Sequence, residues 1–160
     1  MKKIMTMLAV LIALPAFSHA ADMTGKFGLG LRNDQFSARY FVNNSFATEL
    51  GTAFSYVDTD NLGITRDYNV LASIFYVREI HEDILLEAGI TATYLKGTYN
   101  NNKFNEYVLS PFIGMETIIK GHFGLDFKVI PFSFDHYDCT GLTTKGYFSM
   151  HGSLGAHYYF

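Results

Sequence analysis

From residue 24 onward, apolar and polar side chains alternate in stretches rich in Phe, Tyr, Val, Ile and Thr. A period of two sends successive side chains to opposite faces of a β-strand, and the 3.6-residue period of a helix is nearly absent. The pattern predicts eight strands, at 24–32, 36–42, 46–57, 67–78, 84–96, 104–119, 122–134 and 147–160. They are joined at 33–35, 43–45, 58–65, 79–83, 97–103, 120–121 and 135–146, where Asn, Asp and Gly dominate. These residues tolerate positive φ and hydrogen-bond their own backbone. Lys120-Gly121 reads as a two-residue hairpin turn. The alternation slips near Pro131, so a bulge is expected there.

The two faces differ sharply. One carries Leu29, Leu31, Leu50, Ile74, Ile90, Ile113, Leu125 and Leu154 among many others, with no charge at any position. The opposite face carries Arg32, Arg39, Glu49, Glu87, Glu116, Asp126, Lys128, His151, Ser153 and His157, interleaved with Gly28, Gly30, Gly51, Gly89, Gly114, Gly124 and Gly155. Phe41, Leu71, Phe75, Leu95, Val108 and Phe112 are the apolar exceptions on that side. Glycine weakens a strand, and an outer face in open water gives no reason to use it repeatedly. The inside of a narrow barrel does, because eight strands leave a lumen just wide enough for side chains to fill. The apolar face also holds more bulk than one such interior contains. Aromatic residues recur near strand ends, at Phe46 and Tyr56, Tyr68 and Tyr76, and Phe148 and Tyr158, as interfacial girdles require. The expectation is therefore apolar outward to lipid and polar inward, with the sheet closed because hydrocarbon tolerates no unpaired edge. Buried charges must be paired, so Arg32, Arg39, Glu49, Glu87, Glu116, Asp126 and Lys128 are expected to form an ion-pair network that plugs the lumen.

Composition sharpens this. The 160 residues are 49% hydrophobic and 17% charged, yet after the N-terminus no apolar run approaches the roughly 18 residues of a membrane helix. Low charge and abundant aromatics exclude disorder, and a single cysteine, Cys139, excludes a disulfide scaffold. At the N-terminus, Lys2 and Lys3 precede an apolar stretch and Ser18-His19-Ala20. These are the three parts of a secretory signal peptide, cleaved after Ala20, which leaves 21–160 as one barrel domain. Its removal takes two lysines from a chain already at −3, leaving no electrostatic footprint for nucleic acid. With both termini periplasmic, 43–45, 79–83 and 120–121 lie inside, and 33–35, 58–65, 97–103 and 135–146 outside.

Taken together, the pattern resembles the small eight-stranded outer-membrane barrels of Gram-negative bacteria, the OmpA/OmpX-like class. The resemblance implies an all-β, closed, antiparallel, up-and-down transmembrane barrel among outer-membrane lipids and lipopolysaccharide. Its sharpest element is the C-terminus, where Leu154, Ala156, Tyr158 and Phe160 alternate and end on an aromatic residue. In that class such an ending is similar to the signal read by the barrel assembly machinery. A surface partner reached through the outer loops is a further expectation.

Chemistry is sparse. His151-Gly152-Ser153 resembles the His-x-Ser pair of outer-membrane lipid A deacylases, but the orienting acid that family places downstream is absent from 154–160. Asp135-His136-Tyr137-Asp138-Cys139 contains metal-ligand types without the spacing of a tetrahedral site. Glu79-Ile80-His81-Glu82-Asp83 reads as a solvated turn, and Gly28-x-Gly30 is followed by no helix to make a phosphate loop. No catalytic residue, cofactor or metal is expected. The function expected is structural or surface-interacting, with a narrow channel for ions or small solutes as the alternative and a lipid-modifying enzyme behind it.

Overall fold

A computed structural model describes residues 22–33, 35–59, 63–99, 102–139, 142–145 and 150–160. Among these residues there is no helix. The strands are β1 (Phe27–Arg32), β2 (Gln35–Asn43), β3 (Phe46–Thr59), β4 (Gly63–His81), β5 (Ile84–Tyr99), β6 (Asn102–Ile119), β7 (Phe123–Ile130), β8 (Phe134–Cys139), β9 (Leu142–Lys145) and β10 (His151–Tyr159). Each of β1 to β6 pairs antiparallel with the next, β10 pairs with β7, and β1 pairs with β10. Gly28 lies opposite Tyr159 and Arg32 opposite Gly155, and the Phe160 amide donates to the Phe27 carbonyl at 2.9 Å. The sheet is therefore a closed ring.

The ring has eight staves because β7 and β8 form one of them. β7 pairs with the lower part of β6, ending at Ile113 opposite Val129, and β8 resumes on its upper part with Leu109 opposite Phe134. Four steps along β6 are matched by five along the partner, so one extra residue sits at Pro131–Ser133, the bulge expected there. It reverses the parity: Val129 faces outward before it, Ser133 inward and Phe134 outward after it.

The faces divide as the alternation requires. Leu125, Ile90 and Leu154 lie on the exposed outer wall, at 47%, 48% and 64% exposure, whereas Glu87 is completely buried. Two aromatic rims flank the outer belt: Phe46 packs edge-on against Tyr76 at the turn end, and Tyr68, Tyr94 and Tyr107 form a row at the other. The side chains of Tyr56 and Phe148 lie outside the described residues.

Several connections are shorter than the alternation implies. The β3–β4 ladder runs on to Thr59 opposite Gly63, and the β5–β6 ladder to Tyr99 opposite Asn102. Most of 58–65 and 97–103 is thus hairpin. Within 135–146, β8 and β9 pair from His136–Lys145 to Cys139–Leu142. Beyond the apolar belt both faces of a hairpin meet water, so the ladder continues on backbone hydrogen bonds while the period-two signal disappears. On the opposite side β4 reaches His81 through a bulge, leaving Glu82-Asp83 as the turn, with Asp83 at φ 63°. The Lys120-Gly121 turn has both residues at positive φ but also takes in His122, since Ile119 pairs with Phe123. His122 is drawn out of the ladder by β10: its carbonyl accepts from the Tyr159 amide at 2.6 Å and its ring stacks on Tyr158.

The segment before β1 is not strand but a strap. Asn44 Oδ1 accepts from the Met23 and Thr24 amides and the Thr24 hydroxyl. Asp22, outside the barrel wall, accepts from the Thr24 amide at 3.1 Å, and hydrogen bonds from Thr24 hold its carboxyl below the usual range. The strap seats Met23 in an apolar cluster with Phe41, Ala47, Val77, Leu85, Ile118 and Tyr159 that closes the turn end of the lumen.

Candidate functional site in the barrel lumen

Above that apolar floor lies the charged layer. All seven residues expected in the lumen network face inward, from β1, β2, β3, β5, β6 and β7, and all are buried. Arg39 is the hub. Its Nη1 bonds Glu87 Oε1 at 2.8 Å and Glu116 Oε2 at 2.6 Å, and its Nη2 bonds Glu49 Oε2 at 3.0 Å with Asp126 Oδ2 at 3.6 Å. Arg32 grips Glu49 with two parallel bonds of 2.7 and 2.9 Å and reaches Asp126 at 2.7 Å. Such bidentate geometry suits the planar guanidinium. Lys128 Nζ lies 3.1 Å from Glu49 and 3.6 Å from Glu87, and 4.2 Å above the Phe112 ring. Four carboxylates thus face three cations and His157.

The glycines explain how strands that are not neighbours reach one another. Gly30 lies between Ser37 on one side and His157 on the other, and those two side chains meet over it at 2.8 Å. Gly155 lies between Arg32 and Asp126, whose ion pair crosses it. Gly28 separates Arg39 from Tyr159, and Gly114 separates Glu87 from Lys128; both pairs are in contact across the gap. Partners two strands apart start about 9.6 Å apart, twice the strand spacing. A side chain on the intervening strand would block them. At Gly30 an added Cβ would collide with the Ala156 carbonyl and lie 2.8 Å from His157 Cα.

One ladder step places like charges together: Glu116 is directly opposite Asp126, which is destabilising by itself. Arg39, from across the lumen, lies between them. Tyr159, the inward residue the alternation gave no reason to single out, donates from its hydroxyl to Glu116 Oε1 at 2.6 Å. It also stacks edge-on against Phe41 and links the charged layer to the floor. A polar tip on an apolar body next to a terminal aromatic was the available signal.

The deacylase-like pair does not assemble as a nucleophile and base. Ser153 is buried and accepts from Arg32 Nη1 at 3.2 Å, while His151 is exposed at the mouth of the outer cavity. A different serine does meet a histidine and an acid: Ser37 Oγ is 2.8 Å from His157 Nε2, and His157 Nδ1 is 3.3 Å from Asp126 Oδ2. That order of groups is the one a nucleophilic serine needs. Here, however, Asp126 is already gripped by Arg32, and neither Ser37 nor His157 lines the outer cavity. The trio links β2, β10 and β7 across the lumen.

Metal-ligand types converge only at Glu116, Asp126 and His157 among the described residues. Glu116 is held by Arg39 and Tyr159, Asp126 Oδ1 by Arg32, and His157 Nε2 by Ser37, and a cation beside a guanidinium is electrostatically disfavoured. The expected non-site at 135–139 is strand β8, where Asp135 and Tyr137 turn inward and His136 and Asp138 outward. They diverge rather than converge.

Above the network the lumen opens into a cavity of about 350 Å³ whose floor is Arg32, Lys128, Phe112 and Ser153. Its walls mix Thr91, Thr93 and Ser110 with Leu71, Leu95 and Val108. Among the described residues the barrel is a cup, sealed at the turn end and open at the other.

The class these features define is the closed eight-stranded antiparallel up-and-down β-barrel, inside-out in its polarity. No protein-family model matches the chain, and no curated protein matches it. Among solved structures it is similar to Ail, the attachment invasion locus protein of Yersinia pestis, at 17% identity over 86% of this chain and 100% of that one, TM-score 0.42. It is also similar to Acinetobacter baumannii CarO, at 9% identity over 86% of this chain and 97% of that one, TM-score 0.42.

Proposed function

We propose that this chain is a secreted integral outer-membrane protein of a Gram-negative bacterium, without enzymatic activity, serving envelope integrity or surface contact through its outer loops. The observation that carries the reading is the inversion of polarity: an apolar belt facing out and a buried ion-paired plug facing in. In water that arrangement would expose an apolar surface far beyond what a soluble monomer keeps. In a bilayer the apolar wall meets hydrocarbon and the closed ladder leaves no open sheet edge. Residues 1–20 act as the signal peptide. Leu154, Tyr158 and Phe160, exposed on the outer wall beside half-buried Ala156, are presented to the assembly machinery.

The test is membrane fractionation with surface protease digestion of the 135–146 loop, and gel migration before and after heating. A heat-modifiable band in the outer-membrane fraction is expected; recovery in the soluble periplasm refutes the reading. Conduction is the second reading, favoured by the open outer cavity. Current steps in planar bilayers that vanish on heating would replace a structural role by a channel. Altered lipid A or phospholipid masses on expression, lost in Ser153→Ala, would replace it by an enzyme.

A further inference from the structure

The outer wall carries a recess that the belt does not require. Across β4, β5, β6 and β8 the register stacks three rows on the outward face. Ala72, Ala92, Leu109 and Phe134 form the lowest, Val70, Tyr94, Tyr107 and His136 the next, and Tyr68, Lys96, Asn105 and Asp138 the uppermost. The two alanines leave a hollow between larger neighbours, a groove of about 500 Å³ walled by Tyr94, Tyr107, Leu109 and Phe134. The hollow lies toward the open end of the cup, directly below the Tyr68–Tyr94–Tyr107 rim. Lys96 and, one step higher on β6, Lys103 are exposed above it.

We propose that this groove is a binding site for a phosphorylated, multiply acylated glycolipid of the outer leaflet. The proposal rests on the membrane reading above. An apolar groove on a lipid-facing wall is filled by hydrocarbon, so the committed occupant of the hollow is an acyl chain. The rows above choose the headgroup. Lys96 and Lys103 attract a phosphate, while Asp138 repels one and accepts sugar hydroxyls on the β8 side. Asn105, which accepts the Tyr94 hydroxyl at 3.1 Å, and His136 supply further polar contacts. The shelf spans four strands, three spacings of about 4.8 Å. That width suits a sugar headgroup with a phosphate at one side better than a single glycerophosphate.

The test is native mass spectrometry of the full barrel released from nanodiscs containing equal phosphatidylcholine, phosphatidylglycerol and lipid A. The expected result is one lipid A retained per barrel. Ala92→Phe, which fills the hollow, and Lys96→Glu are each expected to lower retention about tenfold. Leu125→Phe, on a different part of the outer wall, is expected to leave it unchanged. Equal retention of phosphatidylcholine or phosphatidylglycerol overturns the assignment, as does wild-type retention in Ala92→Phe or Lys96→Glu. Heat-modifiable migration is measured on every variant. Loss of the folded band in the parent protein refutes the membrane barrel itself, whereas a folded band without selective retention refutes only the site.

Discussion

Replacing Arg39 by methionine removes the centre of the lumen network while keeping much of its apolar volume. Four carboxylates, those of Glu49, Glu87, Glu116 and Asp126, lie within 3.6 Å of the guanidinium. In Arg39→Met, Glu49 keeps Arg32 and Lys128, and Asp126 keeps Arg32. Glu116 keeps only the Tyr159 hydroxyl and then stands opposite Asp126 with nothing between them. Breaking a buried pair by deleting one partner costs about 3–5 kcal/mol, chiefly because charge is left uncompensated. A loss in that range, about two to four powers of ten in the folding equilibrium, is expected. The assay is equilibrium urea unfolding in detergent micelles, read by the fraction of heat-modifiable band. A companion variant, Arg39→Met with Glu87→Gln and Glu116→Gln, removes the two acids that Nη1 held together with their cation and is expected to regain most of the loss. An unchanged midpoint in Arg39→Met refutes the hub, and a companion no better than the single variant refutes charge imbalance as the cause.

Two further substitutions probe the gaps and the wall. Gly30→Val sets a branched side chain where a single Cβ already meets the Ala156 carbonyl; it should separate β1 from β10 and abolish the heat-modifiable band, whereas wild-type migration would remove the need for a gap. Leu125→Arg places a cation on the outer wall and should cost about 2–4 kcal/mol if that wall faces the middle of the bilayer, checked by urea unfolding in lipid vesicles. A cost near zero would mean that Leu125 meets water.

The division of the chain into two faces was legible from residues alone, because a period of two can bury only one set of side chains and no outward position within the apolar belt carried a charge. So was the choice of inside and outside, since glycines such as Gly28, Gly30 and Gly155 make sense only in a crowded lumen. The bulge at Pro131 followed from the slipped alternation. The hairpin extensions of β3–β4, β5–β6 and β8–β9 did not, since strands with water on both faces have no periodic signature.

Membership of the charged layer was readable, but its pairings were not. Arg39 and Glu49 are ladder neighbours, yet Glu87 and Glu116 meet Arg39 only because the sheet curls into a ring and brings β5 and β6 across from β2. The Glu116–Asp126 opposition reads as a fault in a flat sheet and becomes a clamp once Arg39 enters from the far wall. Closure also decides that Ser37 reaches His157 over Gly30 and that Tyr159 hangs between floor and network. Alternation is a property of one strand and survives in one dimension. A contact across a lumen depends on strand number, stagger and curvature together, and those exist only when the ring is complete.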